Sequence, residues 1–397
     1  MNNDLTYILV TVSGPDRPGI TSNLMKVLKD NQIEIYDIGQ AVTHGLLSLS
    51  FMVGTKGEKK ENSGFLKDLL FEAKHMGLNL DFQLVEKNIR NAAEIEKFIL
   101  TCVSVQNIST EFIHDVSTLL SDNRINIHRI DNVSNEGFNT LEIATTTNKK
   151  EIIGDKLKKD LMKLGQMHLV DLAFLKDDIF RRSKRLIVFD MDSTLIQMEV
   201  IDELAIAYNV GDKVKKITER AMNGEIDFNH SLIERVALLK GLNSNVLQGI
   251  LERLPLTPGT EDFIKTVKKL GYKTAIVSGG FTYFANALKE KLGIDYAFAN
   301  ELDIEDKILT GKVKGTIINA EQKALLVDLI AQKEGISLEQ VVAIGDGAND
   351  LPMLAKAGMG IAFHAKEIVK QKASYHLSHG PMTSILYFLG IPGTHLK

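Results

Sequence analysis

The chain has 397 residues, more than one ordinary core uses, so two or three domains are expected. Its 44% hydrophobic and 25% charged content is that of a soluble globular protein, and a net charge of -4 with a pI near 6.2 and no basic cluster speaks against a nucleic-acid surface. No apolar segment nears the roughly 20 residues of a membrane span, the opening Met1-Asn-Asn-Asp lacks the basic stretch of a secretory leader, and a lone Cys102 cannot staple a fold, so a reducing cytoplasm is the expected compartment.

Residues 5 to 12 read as a strand, and Ser13-Gly-Pro-Asp-Arg-Pro-Gly19 as a turn opening a helix from Ile20 to Asp30. A hairpin pair (Ile33 to Val42, Leu46 to Val53), a second helix (Phe65 to Met76) and a strand (Leu78 to Glu86) complete a βαββαβ order. The order recurs in Phe98 to Val105, Glu111 to Asn123, Ile125 to Val133, Asn139 to Thr146, Ile152 to Leu164 and Met167 to Leu172. Each unit spans about 80 residues, too long for a solenoid repeat, so a duplicated α+β module is expected. Only the first copy has a glycine- and proline-punctuated loop; the second has Gln106-Asn-Ile-Ser-Thr110. Residues 174 to 184 read as a charged linker with a helical turn, its basic residues Arg181, Arg182 and Lys184, with the following Arg185, solvated.

The run Leu186 to Phe189 is too short for a helix and rich in β-branched and aromatic residues, as a buried parallel strand is. It ends in Asp190-Met-Asp192-Ser-Thr194. Residues two apart in a strand point the same way, so both carboxylates can leave at the carboxyl end, where open α/β sheets bind ligands. Burying them dry costs several kcal/mol unless a cation or proton neutralises one; solvated turn aspartates remain the alternative on this stretch alone. Helices follow at Val200 to Tyr208, Val210 to Met222, Asp227 to Leu239 and Ser244 to Arg253. Strands at Lys273 to Ser278, Tyr296 to Asn300, Val341 to Asp346 and Gly360 to Phe363 then alternate with helices at Thr260 to Leu270, Phe281 to Leu292, Ala320 to Glu334 and Leu351 to Ala357, which predicts a parallel sheet. Residues 301 to 318 add a hairpin with Thr310-Gly311 at its turn.

Ser278-Gly279-Gly280 and Gly345-Asp346-Gly-Ala-Asn349-Asp350 each follow an apolar run, and Lys323 lies on the helix between them. Singly these are ordinary turn and surface residues. Together, in that order after Asp-x-Asp-x-Thr, they resemble the haloacid dehalogenase superfamily over residues 185 to 380. The first module resembles the ACT domain through Gly14-Pro-Asp-Arg-Pro-Gly19; the second does so by pattern only. The expected class is therefore α/β: a Rossmann-like parallel-sheet core with a small helical cap, preceded by two ferredoxin-like βαββαβ ACT-type domains. The expected domains are 1-88, 89-180 and 181-397, with the cap at about 199-256.

The resemblance implies Mg²⁺ held by Asp190, Asp346 and the backbone carbonyl of Asp192, with Asp350 in support. An attacking carboxylate and a phosphate dianion repel each other unless a cation lies between them. Asp190 is then the nucleophile, Asp192 the acid and later the base, and Ser278, Gly279 and Lys323 the phosphate-oxygen ligands, with Asn349 near the phosphate or substrate. The stretch from Met222 to Leu239 is similar to that of phosphoserine phosphatases. This implies Glu199 on a substrate ammonium, Arg235 on its carboxylate, and Met222 and Phe228 shaping the pocket.

The implied reaction is hydrolysis of O-phosphoserine to L-serine and phosphate, the last step of L-serine biosynthesis. Gly14, Asp16, Arg17 and Gly19 are the candidate effector residues, because a helix N-terminus presents N–H groups to a carboxylate. A homodimer through the ACT-like modules is expected. The rival readings are the same core acting on another phosphorylated amino acid or a protein, and an amino-acid sensor with a silent phosphatase domain.

Overall fold

A computed structural model describes residues 5–56, 63–85, 95–148 and 154–393. The expected boundary at 88/89 and the first residues of the helix expected from Ile152 lie outside these. The chain divides into two compact units, Met1–Ala93 and Glu94–Lys397.

The first unit contains β1 (Leu5–Pro15), α1 (Ile20–Asp30), β2 (Glu34–Thr43), β3 (Leu46–Lys56), α2 (Ser63–His75) and β4 (Asn79–Val85). The strands pair antiparallel in the order β2-β3-β1-β4. Ile8, Val10 and Val12 alternate inward along β1 onto Leu24 and Leu28 of α1 and Leu69 of α2, the period-2 and period-3.6 patterns of a sheet carrying helices on one face.

The second unit opens with the same order: β5 (Glu96–Ser104), α3 (Thr110–Asp122), β6 (Asn126–Asn132), β7 (Thr140–Thr147), α4 (Asp155–His168) and β8 (Val170–Lys176), in a sheet β6-β7-β5-β8. Ser109 caps α3 by accepting from the Phe112 amide at 3.1 Å. The strand expected from Met167 starts three residues later, because α4 runs on to His168 and ends at Leu169 in the left-handed region (φ 55°).

Residues 177–184 form turns without a helix, and the expectation of a solvated basic cluster fails for two of its members. Arg181 is 3% exposed and pairs with Glu142 of β7; Lys184 is 5% exposed and donates to the Glu339 carbonyl at 2.5 Å. The Arg181 Nε and Nη1 atoms find no partner among the described residues, so the ion pair carries a heavy desolvation cost. Removing one member of such a pair strands a buried charge at about 3–5 kcal/mol. Arg181→Ala should therefore shift the urea unfolding midpoint of the whole chain down by that equivalent, and Arg181→Met with Glu142→Leu should recover most of it. A midpoint unchanged in Arg181→Ala would contradict this.

The rest is one seven-stranded sheet. Its strands are β9 (Leu186–Phe189), β10 (Lys273–Phe281), β11 (Tyr296–Glu305), β12 (Ile308–Lys314), β13 (Val341–Gly345), β14 (Met359–Phe363) and β15 (Tyr375–Leu377), in the order β12-β11-β10-β9-β13-β14-β15. All neighbours are parallel except β11 and β12. The hairpin turn lies at Asp306-Lys307, both at positive φ (50° and 65°), while Thr310 and Gly311 are inside β12. Four helices, α5 (Val200–Ala207), α6 (Gly211–Met222), α7 (Phe228–Ala237) and α8 (Asn245–Glu252), stand between β9 and the next helix, α9 (Thr260–Lys269). Helices α10 (Thr282–Leu292), α11 (Ala320–Glu334) and α12 (Leu351–Lys356) complete the crossovers.

The second module packs onto this sheet within the same unit. Buried Asp171 of β8 accepts from the backbone amides of Ser378 (2.7 Å) and His379 (2.9 Å), just beyond β15.

Candidate active site

β9 lies between β10 and β13, and Phe189 is in register with Ile276 and Ile344. Residues following those positions therefore converge at one sheet edge: Asp190 from β9, Ser278 from β10, Asp346 from β13. From β9 the chain steps one way through β10, β11 and β12, then crosses back to β13 on the other side of β9, and this switch point is where open α/β sheets form a crevice.

The sharp turn after β9 puts Ser193 at φ 56°. It sends the Asp192 carboxylate to the start of α5, where Oδ1 accepts from the Val200 amide at 2.9 Å, and leaves Oδ2 at 3.4 Å from the Ser278 hydroxyl. A Cβ on Gly280 would run into Asp192 Oδ2 and come within 2.8 Å of Met191 Cε, so a side chain there would displace the Asp192 carboxylate. Lys323, one turn into α11, is buried with Nζ 2.7 Å from Oδ1 of both Asp190 and Asp350. Asp350 also accepts from the Gly347 amide at 2.9 Å, which pins the Gly345–Asp350 turn beneath Asn349.

Carboxylate oxygens of Asp190, Asp346 and Asp350 lie within 4.8 Å of one another. Among the described residues this is the acidic cluster able to hold a metal; the Asp192 carboxylate is not in it. Burial, then repulsion from Asp350, holds the Asp190 carboxyl well above its ordinary range, against the pull of Lys323. Burial also raises Asp192 and Asp346 to about 7. Four acids facing one lysine are short of positive charge, and hard oxygen donors suit a hard divalent cation.

The cap supplies the other wall. Half-buried Phe228, first residue of α7, lies so close that a Cβ on Gly279 would sit 2.9 Å from its ring. Arg235, one face along α7, is half-buried; burial draws its pKa down, and Asp202, Glu199 and Asp192 oppose that. Glu199 is exposed and accepts from the Ser193 hydroxyl at 2.8 Å. Met222 ends α6 and is 66% exposed, so the structure leaves it on the cap surface.

Residues 184–358 match the haloacid dehalogenase-like hydrolase family, and residues 6–83 match the ACT domain. A phosphoserine phosphatase of Streptomyces coelicolor is 37% identical over 98% of this chain and 93% of that relative. The chain belongs to the phosphoserine phosphatases. One from Archaeoglobus fulgidus is 51% identical over 61% of this chain and 69% of its own length. The crystal structure of a probable phosphoserine phosphatase from Vibrio cholerae superposes with a TM-score of 0.60 at 34% identity, covering 74% of this chain and 86% of the other.

Three residues of this phosphatase make contacts that the sequence assigned to none of them, Thr194 among them although it belongs to the Asp-x-Asp-x-Thr motif. Thr194 donates to Asp346 Oδ1 at 2.8 Å, tying the β9 turn to the β13 turn. Asp202 faces Arg235, a pairing visible only once α5 and α7 are side by side. Asn300 sits behind Gly279, and its only sequence signal was a polar residue closing an apolar run.

In the N-terminal module Gly14 (φ 153°) and Gly19 (φ 98°) both use backbone space open to glycine, and a Cβ on Gly14 would meet the Leu78 side chain at 2.7 Å. Gly19 caps α1 without a side chain, Asp16 is exposed, and Arg17 donates to the Met76 carbonyl at 2.6 Å. The guanidinium thus braces the loop against the turn after α2.

Proposed function

We propose that this chain hydrolyses O-phosphoserine to L-serine and phosphate, the last step of L-serine biosynthesis, through a phosphoryl group carried on Asp190. The observation that carries the reading is the buried pair of carboxylates, Asp190 and Asp192, with Lys323 on one oxygen of the first and a hydroxyl and a backbone amide on the second. Lys323 holds Oδ1 of Asp190 in place, and the other oxygen is free to attack phosphorus. Asp192, titrating near 7, can be protonated at the start, give its proton to the leaving alkoxide, and take one from the incoming water. Ser278, the Gly279 amide and Lys323 meet the equatorial oxygens as charge spreads over them. Asp190, Asp346 and the Asp192 carbonyl, with Asp350 behind, would hold Mg²⁺. Bound there, it supplies the positive charge that lets an anionic carboxylate approach a dianion.

Selectivity is assigned to the cap: Arg235 takes the substrate carboxylate, Glu199 its ammonium, and Phe228 closes over Gly279. Phosphate release from a panel of phosphorylated amino acids and sugars, with and without Mg²⁺, tests the reading. Phosphoserine should lead the panel, and a sugar phosphate or phosphothreonine leading it would overturn the substrate assignment.

The cation assignment has its own check. With Asp192 and Asp346 raised to about 7, the cation-free fold keeps protons that the unfolded chain has released above about pH 4. Stability from this source is lost as pH rises between about 4 and 7. A divalent cation competes with the proton on Asp346, the member of the pair whose carboxylate lies in the cluster, so the rise in Tm on adding Mg²⁺ should be larger at pH 8 than at pH 5. An equal rise at both, or none, would count against a carboxylate cation site.

The same proposal has the N-terminal module bind L-serine at Gly14–Gly19 and lower activity, in a cytoplasmic homodimer joined through the ACT-like modules. Its support is the glycine-opened start of α1 and the exposed Ile38 and Leu84 on the edge strands β2 and β4. Coupling of an ordinary size, about 1–3 kcal/mol, weakens substrate affinity roughly 5- to 150-fold. L-serine should raise the apparent KM of the whole chain at concentrations below those needed in Asp16→Ala, which should retain only competition in the active site. The same inhibition constant in both would end the regulatory reading, and a monomer by light scattering would end the dimer.

A further inference from the structure

We propose that Asn300 is a positioning residue that sets the Ser278 hydroxyl for phosphoryl transfer. The inference rests on the reading of Ser278 and Lys323 as phosphate ligands and adds what holds them in place.

β10 and β11 run in parallel register up to Val277, break, and resume at Phe281 opposite Asn300. Residues 278–280 thus bulge out of the ladder, and their backbone groups need partners from elsewhere. Asn300 is 1% exposed and commits both ends of its amide: Nδ2 donates to the Gly279 carbonyl at 2.8 Å, and Oδ1 accepts from the Ile318 amide at 2.8 Å. A peptide unit is planar, so holding the Gly279 carbonyl fixes the direction of the Gly280 N–H at its other end. That N–H donates to Ser278 Oγ at 2.9 Å. The Ser278 hydroxyl is left with its own proton to give, toward Asp192 Oδ2 at 3.4 Å or toward an arriving phosphate oxygen.

The other end of Asn300 reaches the second phosphate ligand. Ile318 precedes Asn319, which caps α11 by accepting from the Gln322 amide at 3.0 Å, and Lys323 follows in the first turns of that helix. Asn319 also donates to Asn229 Oδ1 of the cap at 3.3 Å. One buried side chain therefore spaces the serine loop from the lysine helix, on a polar string that runs on to the cap.

A buried asparagine that merely satisfies two backbone groups would change stability and nothing else. The variants to compare in the whole chain are Asn300→Asp, Asn300→Leu, Ser278→Ala and the double variant Ser278→Ala with Asn300→Asp. Asn300→Asp keeps the size and the acceptor for Ile318 but turns a carboxylate oxygen to the Gly279 carbonyl. It should lose on the order of 10²-fold in kcat, as misplacement near the reacting centre does. KM should move by less than about threefold, and inhibition by orthovanadate, whose geometry resembles the transferring phosphoryl group, should weaken in step with kcat. Once Ser278 is already alanine, Asn300→Asp should cost little more, because both changes disable one device.

Parent-like kcat and vanadate affinity in Asn300→Asp well below its Tm, or independent losses in the double variant, would overturn the inference. If Asn300→Leu does not fold, Asn300→Asp and the double variant still decide it. Ser278→Ala with parent activity would instead remove the reading of Ser278 on which the inference stands.

Discussion

Asp190→Asn should lose turnover by on the order of 10⁴- to 10⁶-fold, the scale on which enzymes respond to removal of a covalent nucleophile, while its Tm stays level or rises. The two expectations have one cause. Asp190 is buried among Asp350, Asp346 and Asp192, and burial and their repulsion hold its carboxyl well above the ordinary range. An amide of the same shape removes that repulsion, and Lys323 keeps Asp350 at 2.7 Å as partner. With its oxygen accepting from Lys323, however, the amide presents its nitrogen at the attacking position, a donor with no lone pair to place on phosphorus. Steady-state phosphate release and a thermal melt on one preparation check both halves. A kcat within about tenfold of the parent would mean that another group attacks.

Arg235→Ala should lower kcat/KM for phosphoserine by roughly 30-fold to several thousand-fold, from about 2–5 kcal/mol for truncating one partner of a buried charge pair at 1.4 kcal/mol per decade. The half-buried guanidinium has Asp202, Glu199 and Asp192 around it, and a bidentate fork fits a carboxylate better than an ammonium would. Phosphoethanolamine, which lacks the carboxylate, should lose far less. Discrimination between the two substrates is therefore the quantity to measure. A variant that discriminates as well as the parent would show that Arg235 does not hold the carboxylate.

The core of this site was legible because its signals are local. Leu186–Phe189 is uniformly apolar and ends in acid, which is how a buried strand with a functional carboxyl end must read. Helix α11 has the bounds its sequence predicts, since Asn319 caps one end and Gly335, at φ 65°, stops the other. What stayed hidden depends on partners far along the chain. Arg181 looks like a linker residue until Glu142 is folded against it. Asn300 looks like the end of a strand until Gly279 and Ile318 arrive at its two ends. Strand β15 has three residues, too few for any periodicity, and is a strand only because β14 lies beside it. The turn at Asp306-Lys307 takes positive φ at both residues without a glycine to announce it, so Thr310-Gly311 drew the assignment instead.

The account stands or falls on where phosphorus resides during turnover. Radiolabelled phosphoserine mixed with the enzyme and Mg²⁺, stopped in acid within the first turnovers and digested, should leave label on the peptide containing Asp190. Hydroxylamine should release that label, as it does an acyl phosphate, and Asp190→Asn should leave the peptide unlabelled. Label on a serine or histidine peptide, or full turnover with no labelled peptide at any time, would contradict it.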